Sequence, residues 1–225
     1  MDISNFDNKH QGQRGFVIGG GPSIRFTAED GFDFDVLKSE ITVGANKAYK
    51  LFTPTYLVWG DKNFYRRYKQ DIQKLECTMF LSNHDTPGEE DAPKDDPRFI
   101  RLQRVLDGHG RHHVPTTFAG PVSFWQNSGL IALRIAYLLG LNPIYLLGMD
   151  LKKFENAAWF HDGYDFSKGP GENWFNLVHT NFVRFFEQVE GVDIYSCSSI
   201  SSLNKVIPYV DIKTLFPSSN ITSEC

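Results

Sequence analysis

The chain has 225 residues, 41% of them apolar, with 23 Lys and Arg against 27 Asp and Glu for a formal net charge of −4. That much apolar side chain can bury a sizeable core, which excludes overall disorder, and the slightly acidic balance excludes a non-specific nucleic-acid binder, which needs a basic face. No apolar run reaches the roughly 18 to 20 residues of a membrane span, residues 1–14 lack the apolar stretch of a secretory signal, and Cys77, Cys197 and Cys225 have no metal or CxxC spacing, so a soluble cytoplasmic protein with reduced thiols is expected.

Short apolar runs alternate with helix-like stretches. Phe16-Val-Ile18 is the first, running into Gly19-Gly20-Gly21-Pro22-Ser23. Ile41-Thr-Val-Gly-Ala-Asn46 is the second, and Thr55-Tyr-Leu-Val-Trp59 closes on Gly60-Asp61 before a helical pattern over Asn63 to Ile72. Cys77 to Ser82 supplies a fourth strand. Three prolines and a cluster of acids over residues 83–97 mark an exposed excursion, and residues 98–120 read as irregular apart from one strand at Phe99 to Leu102. Ser128 to Leu139 is a helix closed by Gly140, with Ser128, Ala132 and Ala136 as a small-residue stripe that admits a close sheet. Pro143 to Gly148 is a strand buried on both faces. A helix over Glu172 to Glu190 places Trp174, Leu177, Val178, Phe182, Phe185 and Val189 on one face, followed by a strand at Val192 to Cys197 and a terminal helix or arm at Asp211 to Phe216.

Strands alternating with helices imply right-handed crossovers and a mainly parallel sheet. The fold expected is α/β and Rossmann-like, with helices on both faces. It makes one domain over residues 1–225 with a loop-rich insertion around 83–120. Ligands of such sheets lie beyond the carboxyl ends of the strands, which selects Gly19 to Ser23, Asn46, Gly60-Asp61, Met149-Asp150 and Ser196 to Ser199.

Within those loops, Gly19, Gly20 and Gly21 let backbone approach a phosphate without Cβ clashes, and N–H groups around Pro22 and Ser23 are suited to an anion. Gly21 is expected to face the phosphate rather than the core. Asn46 and Asp61 can hold a ribose hydroxyl, a base edge or a metal-bound water, or simply cap the next helix. Asn127, Ser128 and Gly129 open a helix, where a cap and an anion site are both natural. His161, among aromatics and beside Asp162 in the loop after Asp150, has the setting of a general base. His109, His112 and His113 lack the partners of a zinc site and read as surface or substrate-loop residues.

Taken in order, Ile18-Gly-Gly-Gly-Pro-Ser-Ile24, Val43-Gly-Ala-Asn46, Asn127-Ser-Gly129, Ile144-Tyr-Leu-Leu-Gly-Met-Asp150 and Tyr195-Ser-Cys-Ser-Ser-Ile-Ser-Ser-Leu203 form a series. It resembles that of bacterial lipooligosaccharide sialyltransferases, of the related domain of archaeal 6-hydroxymethylpterin pyrophosphokinases, and of uncharacterised bacterial and phage proteins sharing that domain of unknown function (number 115). The resemblance implies a transferase using a nucleotide-activated donor and a hydroxyl acceptor, most simply a glycosyltransferase that needs no cofactor. Nucleotide binding would fall to Gly19, Gly20, Gly21, Pro22, Ser23, Asn46, Asp61, Asn127, Ser128, Gly129 and Asp150, and catalysis to His161 and Asp61. Gly20 and Asp61 each stand where the sialyltransferases have Asn. The alternatives are a magnesium-dependent pyrophosphokinase-like enzyme, with Asp61 and Asp150 on the metal, and a non-catalytic nucleotide-binding module.

Overall fold

Continuous apolar strands must be covered on both faces, and a doubly wound sheet does this with helices above and below. The computed structural model describes residues 2–61, 63–82, 92–103, 114–122, 127–154, 160 and 171–216. Among these, β1 (Gly15–Ile18), β2 (Ile41–Ala45), β3 (Tyr56–Trp59), β4 (Thr78–Ser82), β5 (Phe99–Leu102), β6 (Ile144–Leu147) and β7 (Ile194–Ser196) form one sheet in the order β5-β4-β3-β2-β1-β6-β7. All six pairings are parallel. The α/β, Rossmann-like expectation holds. The strand at Phe99 to Leu102 extends the sheet into the stretch that reads as irregular. His109, His112, His113, His161, Asp162 and Cys225 lie outside the described residues.

The period-2 alternation of strands sorts side chains between two layers. From β1, Phe16 and Ile18 face α1 (Ser23–Glu29) and the short 3-10 helices at Phe34–Ser39 and Asn46–Lys50, packing with Ile24, Phe34, Leu37 and Ala48. Val17 faces the other way, into the core of α3 (Ser128–Leu138) and α4 (Glu172–Phe186). On the side of β3 and β4, α2 (Phe64–Ile72) covers Leu57 and Met79.

Between sheet and α4, α3 is buried over nearly its whole circumference. Ser128, Ala132 and Ala136 are buried as the stripe requires, and so are Leu130, Leu133 and Ile135. Its carboxyl end closes as a Schellman motif: Gly140 (φ +78°) donates to Tyr137 and Leu141 donates to Ala136. The polar amino-terminal stretch then caps it from outside. Asn8, His10 and Gly12 donate their amides to the carbonyls of Leu138, Leu139 and Gly140 at 2.8, 2.7 and 2.8 Å, with Phe6 inserted in the core.

In α4 the buried face is Phe175, Val178, Asn181, Phe182 and Phe185. Leu177 is exposed instead, because its 100° offset from Val178 carries it past the contact edge, and the helix ends at Phe186 rather than Glu190.

Candidate functional site

The order of the sheet fixes where a ligand can enter. Connections from β1 step towards β5, whereas β6 and β7 lie on its other side, so the strand order reverses between β1 and β6 and opens a crevice beyond their carboxyl ends. The ends of β3, β2, β1, β6 and β7 stand side by side along this edge.

The glycine loop is held against the end of β6. Gly19 and Gly21 donate their amides to the carbonyls of Leu147 and Gly148, both at 2.8 Å. A Cβ on Gly19 would lie 2.5 Å from the Gly148 oxygen, and one on Gly21 would lie 2.5 Å from Asp150 Oδ2. This corrects the expectation for Gly21: the close approach that excludes a side chain is to Asp150 and Gly148 of the same chain. Gly20, half-buried, is turned to the other side, where its carbonyl accepts the Phe160 amide at 2.8 Å.

Asp150 is 1% exposed. Its Oδ2 accepts the Ser23 amide at 2.8 Å, and its Oδ1 accepts the hydroxyls of Ser23 and Ser198, each at 2.6 Å. Burial pushes its carboxyl above the usual carboxylate range even though the serines pull it down. Ser23, which begins α1 behind Pro22, therefore directs both of its donors at Asp150.

Asn46, at the end of β2, has a left-handed backbone (φ +52°), and its Oδ1 is buried with no hydrogen-bond partner. Asn8 shares the left-handed backbone and Asn181 the unpartnered amide oxygen, so what sets Asn46 apart is the combination of the two at the carboxyl edge of the sheet. Lys47 beside it is buried, with Nζ 4.8 Å from the centre of the Tyr68 ring.

Asp61, at the end of β3, is exposed, and its Oδ1 accepts the Asn63 amide at 2.9 Å in an Asx turn leading into α2. Three strand spacings of about 4.8 Å, or roughly 14 Å, separate β3 from β6. Asp150 faces inward, onto Ser23 and Ser198, while Asp61 stays at the exposed rim. Among the described residues no group of three His, Cys, Asp or Glu is placed to hold a metal.

Asn127 caps α3, accepting the Leu130 amide at 2.8 Å, and Ser128 Oγ accepts the Gly60 amide at 3.0 Å, tying the start of the helix to the end of β3. A Cβ on Gly129 would lie 2.8 Å from Met149 Sδ, the same distance at which one on Gly19 would meet that sulfur. Met149 thus sits between the glycine loop and the first turn of α3. The structure brings Gly19, Gly20, Asn46, Asp61, Ser128 and Gly129 to one edge, while Gly21, Ser23 and Asp150 form its inner support.

Solved structures contain the same arrangement of strands and helices. The chain shares its fold with the sialyltransferase CstII. A CstII structure from Campylobacter jejuni, in complex with the substrate analogue CMP-3FNeuAc, superposes with a TM-score of 0.51 at 16% identity over 88% of this chain and 86% of that one. A second, with a trisaccharide acceptor and CMP, gives 0.51 and 16% over 87% and 86%. The MAf glycosyltransferase of Magnetospirillum magneticum AMB-1 gives 0.54 and 17%, over 88% of this chain and 35% of its own. No protein-family model and no curated protein matches the sequence. Among the described residues no helix is long and apolar enough to cross a membrane.

The sequence does not announce the Asp150–Ser23–Ser198 network. Its signal is the run Ser196-Cys-Ser-Ser-Ile-Ser-Ser202, where serines at a strand's carboxyl end can satisfy a carboxylate on the neighbouring strand. Arg134 is also missed. It is 1% exposed on α3, donates from Nη1 to the Val122 carbonyl at 3.2 Å, and burial lowers its pKa to about 10.

Proposed function

We propose that this chain is a glycosyltransferase whose donor is a sugar activated by a cytidine monophosphate-type nucleotide. The observation that carries the reading is Asn46: a buried acceptor without a partner, held in a left-handed backbone at the carboxyl end of β2, next to the strand that borders the crevice. Such an atom is an unmet hydrogen bond waiting for a donor, and a base amino group or a ribose hydroxyl supplies one. The fold shared with CstII, which holds CMP and CMP-3FNeuAc, supports the same nucleotide class.

In this reading Asn46 and Gly20 line the nucleoside, and the amides at the start of α3 meet the phosphate, where the positive end of an 11-residue helix favours an anion. Ser128 spans α3 and β3, and Asp61 at the rim orients the sugar or the acceptor. His161 takes the proton of the acceptor hydroxyl as its oxygen bonds to the anomeric carbon, while the bond from that carbon to the phosphate oxygen breaks and the nucleotide leaves. The Phe160 amide bonded to Gly20 supports this assignment, since the chain that enters His161 is tied to the donor loop.

The test is titration calorimetry with CMP, followed by transfer assays with a CMP-sugar. CMP is expected to bind without added metal, and His161→Asn is expected to cut turnover by about a hundredfold or more at nearly unchanged CMP affinity. Absence of CMP binding overturns the reading. Binding without turnover in the native protein favours the non-catalytic module.

A further inference from the structure

In many doubly wound folds the first turn of the helix after the glycine loop faces a phosphate of the ligand. In this chain that turn already has a carboxyl group against it. Pro22, in the cap position of α1, gives it no side-chain hydrogen bond, and the amide of Ser23 is met by Asp150 from the far side of the switch point. The Ser23 hydroxyl and the Ser198 hydroxyl complete the carboxylate's shell. Main-chain bonds run alongside: Gly21 donates to the Gly148 carbonyl at 2.8 Å and Ser202 to the Asp150 carbonyl at 3.1 Å, and Ser201 Oγ donates to the Met149 carbonyl at 2.7 Å. Three loops, from β1, β6 and β7, are thereby closed around one carboxylate.

We propose that Asp150 is a resident anion, a positioning residue whose carboxylate takes the place of a ligand phosphate at α1 and clasps the glycine loop to the serine loop after β7. The ligand is then met by the outer rim, where Gly20, Asn46 and the start of α3 lie, and its phosphate is directed away from α1. The absence of a side chain at Gly21 belongs to the same device, because a Cβ there would lie 2.5 Å from Oδ2 and 2.6 Å from the carboxyl carbon. The effect on ligand rests on the nucleotide reading above. The clasp itself does not.

Two variants of the full chain test it. Asp150→Gly leaves a hole of carboxylate shape, and formate, but not its neutral isostere formamide, is expected to restore thermal stability and amide protection in residues 19–25 and 198–204 together. Gly21→Ala is expected to destabilise the parent more than the Asp150→Gly background, where only the 2.7 Å approach to the Gly148 oxygen remains, a coupling that a double-mutant cycle reads directly. Ser198→Ala, a milder change, is expected to speed amide exchange in residues 19–25, across the carboxylate from the substitution. CMP affinity is expected to fall about tenfold in Asp150→Gly, as for loss of hydrogen bonds to a charged group, and to return with formate.

Equal rescue by formamide, or faster exchange in Ser198→Ala confined to residues 198–204, overturns the proposal. A parent that binds no CMP but shows the formate and exchange effects leaves the clasp standing and removes the nucleotide reading. A parent that binds CMP, with Ser198→Ala exchange unchanged at 19–25, does the reverse.

Discussion

Asn46→Gly separates a residue kept for a ligand from one kept for the fold. A non-glycine residue in the left-handed region costs about 1 kcal/mol, and a buried acceptor without a partner costs about 1–3 kcal/mol. Asn46 carries both burdens, at φ +52° and with an unpartnered Oδ1. Glycine relieves both while adding about 0.5–1 kcal/mol of chain entropy to be lost on folding. The net expectation is a ligand-free protein more stable by about 1–3 kcal/mol, at roughly 2–4 °C in melting temperature per kcal/mol for a chain of this size. CMP affinity should move the other way, falling about tenfold as one hydrogen bond in the crevice is lost. Differential scanning calorimetry and titration calorimetry on the same preparations read the two quantities. A variant that melts lower than the parent and binds CMP equally well would refute the reasoning, because Asn46 would then be holding up the backbone.

Ser128→Ala removes the acceptor of the Gly60 amide and is expected to cost about 1 kcal/mol in urea denaturation, with faster exchange of that amide and weaker donor binding. For Asp150 the sign of the pH dependence follows from burial, which raises its carboxyl in the folded state above the unfolded value of about 3.9, against the pull of Ser198, Ser23 and Lys152. The stabilisation that comes from this shift is fully present below that unfolded value and is lost as pH rises through the folded one, so the advantage of the parent over Asp150→Asn should decline from about pH 4 upwards to a plateau at which the hydrogen-bonded carboxylate still clasps the loops. Urea melts of both proteins across the acid range measure this, and a difference that grows with pH would show the serine bonds outweighing burial.

The order of strands and helices was legible because each signal is local. Apolar runs four or five residues long, the Ser128-Ala132-Ala136 stripe and the cap at Gly140 are written in neighbouring positions. The carboxyl-edge rule then collected Gly19, Gly20, Asn46 and Asp61, and the helix-start pattern added Ser128, without knowledge of any contact. What stayed hidden depends on residues far apart in the chain. Asp150 and Ser23 are separated by 127 positions, and nothing near either says that one takes up the donors of the other. Gly21 was misjudged for the same reason, since a glycine pressed against a carboxylate and one pressed against a phosphate look alike in sequence. The amino-terminal stretch reads as polar and featureless because its contribution lies in its amides, which every residue type but proline has.

Both ends of α3 are pinned by other parts of the chain, its first turn to Gly60 through Ser128 and its last carbonyls to Asn8, His10 and Gly12. A rod held at both tips and packed on all sides can neither slide nor roll. It therefore serves as the fixed jaw of the crevice, and adjustments that admit or release a ligand must be made by the strand-end loops opposite it. Shortening the chain by its first dozen residues would loosen that jaw from the end farthest from the ligand, so a deletion at the amino edge of the sheet would register as weakened binding.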